Sequence, residues 1–137
     1  MKVRRKAREL ALQALFYMDA SKNFSQEKIA LFSETLSPPA EALSFFTQLV
    51  EGVCVHLSKI DEEIARYAKN WKPERMQSVD RNILRIAIFE FLHHDDIPKK
   101  VILNEAIDLA KKFGGENSSR FINGVLGQMY TSLEKKE

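Results

Sequence analysis

The chain has 137 residues, 45% of them hydrophobic, a size and apolar content that predict one compact domain with a single core. Twenty-one Lys and Arg against 19 Asp and Glu leave a formal charge of +2, so any affinity for nucleic acid must come from where the cations lie. The single cysteine, Cys54, excludes an internal disulfide framework and zinc ribbons, and no apolar run approaches the roughly 18 residues of a membrane span; these features predict a soluble, cytoplasmic protein.

Ala7, Leu10, Ala11, Ala14, Tyr17 and Met18 recur every three or four positions, the stripe of a helix with one buried face over about residues 3–20. This basic start runs directly into the domain, so it reads as part of the fold and not as a signal or transit peptide. Ser25 is the expected N-cap of a short second helix carrying Ile29, Phe32 and Leu36, closed by Ser37-Pro38-Pro39. From Ala40, the positions Leu43, Phe46, Leu49, Val50, Val53 and Leu57 predict a core helix of about five turns. Ile60, Ile64, Ala68 and Trp71 mark a fourth helix with Asp61, Glu62 and Glu63 in its first turn, ending before Pro73.

Ser78 is the expected cap of a fifth helix whose broad apolar face, Ile83, Leu84, Ala87, Ile88, Phe91 and Leu92, predicts central burial. Pro98 opens a sixth helix with Ile102, Ala106, Leu109 and Phe113, and Gly114-Gly115 supplies a left-handed stop. A seventh begins near Asn117 or Ser118, buries Phe121, Val125, Leu126, Met129 and Leu133, and should fray over Glu134–Glu137. No segment alternates in the manner of a strand, and no repeat or linker divides the chain. The fold class is all-α, a single domain over residues 1–137, with subdomains 1–72 and 73–137 as its only candidate division.

Lys2, Arg4, Arg5, Lys6 and Arg8 place five cations at the start of a helix, where positive charge opposes the dipole. Packing suggests no reason for them, whereas an anionic ligand does. Arg4, Arg5 and Arg8 share one flank with Phe16 further along it, and cations beside an aromatic suit the phosphates and unpaired bases of single-stranded RNA. A merely solubilising terminus is the other reading. Lys99, Lys100, Lys111, Lys112 and Arg120 either extend the strip or are solvated surface. His93-His94-Asp95-Asp96 is the one metal-like run, but neighbours on a helix point about 100° apart and do not converge on an ion. Ser118, Ser119, Cys54 and Gly114-Gly115 match no nucleophile, P-loop or dinucleotide pattern, so neither catalysis nor a cofactor is expected.

Arg4-Arg5-Lys6-Ala7-Arg8-Glu9 with Leu12-Gln13-Ala14-Leu15, then Val79-Asp80-Arg81-Asn82-Ile83-Leu84-Arg85-Ile86-Ala87, resemble segments of the bacterial NusB family in the same order. Ile97-Pro98, Asn104-Glu105-Ala106-Ile107, Ala110-Lys111-Lys112-Phe113-Gly114 and Phe121-Ile122-Asn123-Gly124-Val125-Leu126 continue that resemblance, which covers about residues 3–130. It implies seven helices in two packed bundles and a transcription antitermination factor that binds boxA RNA. The implied partners are the small-subunit ribosomal protein that acts as NusE, and the RNA polymerase elongation complex, notably on ribosomal RNA operons; a homodimer is left open.

By position the resemblance assigns Arg4, Arg5, Lys6 and Arg8, with Lys2 beside them, to the phosphate backbone, and Lys100, Arg120 and Phe121 to the rest of the RNA surface. Phe121 serves equally well as core. Phe16, Glu74 and Asp80 fall on the ribosomal-protein face, although Asp80 also suits a helix start. Asn117 stands in the loop before helix seven where many relatives are acidic, a change that favours RNA. The rival readings are a protein-protein scaffold, a helix-turn-helix DNA binder, and the detached RNA-binding domain of a ribosomal RNA methyltransferase.

Overall fold

The computed structural model describes residues 2–69 and 72–135, so Trp71 and the last two residues of the expected frayed tail lie outside it. Among the described residues are seven α-helices and no strand: α1 (Lys2–Ser21), α2 (Gln26–Leu36), α3 (Ala40–Val55), α4 (Leu57–Tyr67), α5 (Ser78–His93), α6 (Lys99–Phe113) and α7 (Glu116–Lys135), with one 3-10 turn at Pro73–Arg75.

The helix ends follow local chemistry with a few shifts. Ser25 caps α2, its hydroxyl accepting from the Lys28 amide at 3.3 Å. At the other end of α2, Ser37 adopts φ 44° before Pro38. The expected five-turn third helix is cut at His56, which closes α3 and opens α4, so Leu57 begins a new helix and Asp61–Glu63 lie beyond its first turn. Ser78 is the first residue of α5 instead of its cap, because its hydroxyl serves Asp19 and Asn82. Pro98 precedes the first turn of α6, and Gly115 alone, at φ 90°, takes the left-handed conformation after it. Asn117 lies in the first turn of α7 and not in a loop, and that helix continues through Glu134 and Lys135.

Eleven consecutive residues of α5, Arg81–Phe91, are buried. A helix buried all round is one that other helices enclose. α5 touches α1, α3, α4, α6 and α7. α1 packs on both α3 and α5; α1–α3 make one bundle, and α4, α6 and α7 gather with α5 into the other. Because two helices flank α1, its buried face is wider than the apolar stripe and takes in Arg8, Leu12, Leu15 and Asp19. Conversely Tyr17, Leu43 and Phe113, read as stripe positions, are exposed at the margins of their helices.

Gly52 lets α3 approach α5 closely. A Cβ there would stand 2.1 Å from the ring of Phe89 on α5. Gly52→Ala is therefore expected to destabilise by about 1–3 kcal/mol through overpacking, although alanine is the better helix former by about 1 kcal/mol. Urea unfolding measures the balance; a more stable variant would show that the Phe89 ring yields freely.

Candidate nucleic-acid interface

The N-terminal cations divide into two sets. Lys2, Arg4, Arg5 and Lys6 are exposed, whereas Arg8 is only 3% exposed, and the expectation of a continuous exposed strip is corrected there. Arg8 lies on the flank of α1 that packs toward α5 and α6. Its Nε and Nη2 donate to Glu90 at 2.9 and 2.7 Å, and its Nη1 reaches Glu105 at 3.5 Å. All three donor nitrogens are thereby engaged inside the protein, leaving none directed at a phosphate.

Packing thus supplies a reason for part of a cluster for which the sequence suggested only an anionic ligand or a solubilising terminus. Arg5 makes a two-pronged contact with Glu105 at 3.1 and 2.6 Å and reaches Asp108 at 3.3 Å. Arg4 meets Asp96 at 3.4 Å, and Glu9 accepts from Lys112 at 2.9 Å. Together these pairs join the start of α1 to Asp96 and to one face of α6, a charged rail. Hydrogen bonds from Arg5 hold the Glu105 carboxyl below its ordinary range against the opposing effect of burial, and the same contacts raise the Arg5 guanidinium. The acidic partners Glu90, Glu105 and Asp108 were missed; the three-residue spacing of the last two on one helix face was the available signal.

The Arg4–Asp96 pair is exposed on both sides and exchanges partners at little cost, whereas Arg5 is exposed but holds the buried Glu105, and the Arg8–Glu90 pair is buried on both sides. Arg4 and Arg8 also lie over the Phe45 ring, each 5.2 Å from its centroid. Lys100 is exposed on the first turn of α6, near the Arg4 end of the rail, and Asn117 and Arg120 are exposed on the first turn of α7, beyond the other end. A helix of 15 residues is about 22 Å long, so Lys100 at the start of α6 and Arg120 beyond its end do not form a single cluster. Phe121 is half-buried and packs against the core.

At the far end of the rail, Phe16, Tyr17, Val79, Lys112 and Phe113 line a mostly apolar groove of about 450 Å³. Phe16 is 37% exposed and stands edge-on to Tyr17, which stacks on Phe32 at 5.9 Å. Asp80, next to Val79, accepts a hydrogen bond from Ser118 and so ties α5 to the start of α7. Glu74 is exposed on the 3-10 turn. Cys54 offers no reactive thiol, since burial pushes it up to about 11.

A family model described as the NusB family matches residues 5–131. The chain belongs to the NusB family. A relative named transcription antitermination protein NusB, from Desulfatibacillum aliphaticivorans, is 45% identical over 134 residues, covering 98% of this chain and 94% of its own. Among solved structures, NusB of T. maritima superposes with a TM-score of 0.81 at 35% identity, covering 91% of this chain and 88% of that one. NusB in a crystal structure of antitermination factors NusB and NusE with dsRNA gives 0.83 at 26% identity, covering 96% and 98%. As a member of this family the chain is a transcription antitermination factor with the all-α NusB fold. No helix among its described residues is long and apolar enough to cross a membrane.

Proposed function

We propose that this NusB-family chain binds boxA-like single-stranded RNA together with a ribosomal protein of the NusE type, and tethers nascent RNA to the polymerase elongation complex on ribosomal RNA operons. The observation that carries this reading is the exposed set Lys2, Arg4, Arg5 and Lys6, with Lys100 exposed on the first turn of α6. The solved complex of NusB and NusE with dsRNA supports the RNA and NusE-type partners by likeness. Asn117, Arg120 and the half-buried Phe121 extend the RNA surface, and the groove at Phe16, together with Asp80 and Glu74, receives the ribosomal protein. Dimerisation over the cations would compete with RNA.

Fluorescence anisotropy with a boxA-like RNA of about a dozen nucleotides across a salt series tests the reading. Four neutralised phosphates give a slope near −2.8, or about a fiftyfold loss over a fourfold rise in salt, at about −0.7 per phosphate for single strands. Arg4→Ala and Lys6→Ala should each flatten the slope by about 0.7, and Asn117→Asp should weaken binding without the partner. Phe16→Ala should reduce only the gain that the partner confers. Absence of RNA binding even with the partner present would leave the scaffold reading, and preference for duplex RNA would overturn the single-strand assignment.

A further inference from the structure

A second groove, of about 400 Å³, opens between the C-terminal ends of α3 and α5 and is lined by Glu51, Gly52, Val55 and Phe89 together with all three histidines of the chain, His56, His93 and His94. The His93 ring lies 4.3 Å from that of His56 and 5.0 Å from that of Phe89, tilted by only 24° and 28°. His94 stands edge-on to Phe89 and to Phe45, at 5.5 and 5.4 Å. Gly52 makes this floor possible, since any side chain there would meet the Phe89 ring.

The groove is continuous with the basic strip. Phe45, whose ring His94 meets, also carries the guanidinium of Arg4. Asp96 joins the two from the other side, 3.4 Å from Arg4 and 3.5 Å from His94 Nδ1. The imidazoles lie nearly face to face, so their lone pairs do not converge, and among the described residues no group of three His, Cys, Asp or Glu could hold a metal ion. Partial burial first, then the neighbouring His56 and His94, lower the His93 imidazole below its ordinary range and so favour the uncharged ring. Glu51 at the rim repels phosphate while accepting from the amino group of a base. Both features favour a base inside the groove with its phosphate left outside, on Arg4.

We propose that this groove is a base-stacking subsite: the nucleotide next to the one held by Arg4 places its unpaired base against the His56 and His93 rings. The assignment rests on the RNA-binding reading above and adds to it a contact that is sequence-tolerant and independent of salt. A phosphate contact and a stacked base leave different signatures, because only the first changes the salt slope.

The test compares the intact chain with the double variant His56→Ala, His93→Ala, using a twelve-nucleotide single-stranded RNA over a salt series. Affinity should fall about fivefold to a hundredfold, at 1–3 kcal/mol per stacked base, with the slope unchanged, and His93→Phe, which keeps a ring, should retain binding. Val55→Glu places a carboxylate at the mouth of the groove on a residue 69% exposed, and should weaken binding without loss of fold. Unchanged affinity in the double variant, where Arg4→Ala still weakens binding, would overturn the subsite and leave the RNA reading standing. A flattened slope, or His93→Phe as weak as alanine, would also overturn it. If the double variant loses affinity only for the ribosomal protein, the groove belongs to a protein partner and the proposal fails. No RNA binding by the intact chain would remove both readings at once.

Discussion

Replacing Arg8 by alanine is expected to destabilise the protein by about 3–5 kcal/mol, the usual result of removing one partner from a buried ion pair. The alanine would leave Glu90, 1% exposed, with a carboxylate in the core and no cation in place of the two-pronged contact it has now. Against a typical total of about 5–15 kcal/mol, that loss would lower the melting temperature by roughly 10–20 °C. Calorimetry or thermal circular dichroism reads the shift directly. The double variant Arg8→Met, Glu90→Leu should recover most of it, since an apolar pair of similar volume also removes the cost of burying charge. A fully stable Arg8→Ala protein would show that Glu90 finds water. The same reasoning bears on binding assays: loss of RNA affinity in Arg8→Ala would report a damaged fold, so Arg4 and Lys6 are the informative positions.

The second large effect belongs to Asp19, near the C-terminal end of α1. Its Oδ2 accepts from Arg81 Nε at 2.7 Å and Asn82 at 3.1 Å, and Arg85 approaches to 3.2 Å. One buried carboxylate thus holds two guanidiniums of α5 against the end of α1. Arg81 also donates to the Pro73 and Met76 carbonyls, and Arg85 to Asp61, so the network fastens the 3-10 turn and α4 as well. Asp19→Ala should cost about 3–5 kcal/mol. Burial alone would push the Asp19 carboxyl up, but the Arg81 hydrogen bond and the charges of Arg85 and Arg81 outweigh it and hold it below the ordinary range. A carboxyl that is a stronger acid when folded contributes fully above the unfolded value, about 3.9, and that contribution is lost as pH falls through the lower folded value. Urea midpoints should therefore fall from pH 5 downward in the natural chain and more shallowly in Asp19→Asn. Identical acid profiles would show that other carboxylates, Glu105 among them, dominate acid unfolding.

Both predictions concern charged residues inside the fold, and these are what the sequence concealed. The apolar spacings of α1, α5, α6 and α7, the Ser25 cap, and the Pro and Gly stops were legible because each depends on neighbours within a few residues, and local sterics and hydrogen bonding determine them. The basic cluster was legible as a cluster, and the ordered motifs carried the family resemblance. What each cation does was not legible. Arg4 and Arg8 are four residues apart on one flank of a helix, yet one is exposed and the other buried, because α5 and α6 cover only the second. The histidines show the same limit: His93 and His94 looked like a helix end, and only the approach of His56 from the α3–α4 junction assembles a groove. Periodicity identifies which face of a helix is apolar, but burial of a charge depends on a partner some 80 to 100 residues away, such as Glu90 for Arg8 or Glu105 for Arg5. The sequence by itself therefore determined the helices, their order and the family, while tertiary packing decided which cations remain exposed to a ligand, because desolvation and ion pairing are properties of contacts between helices.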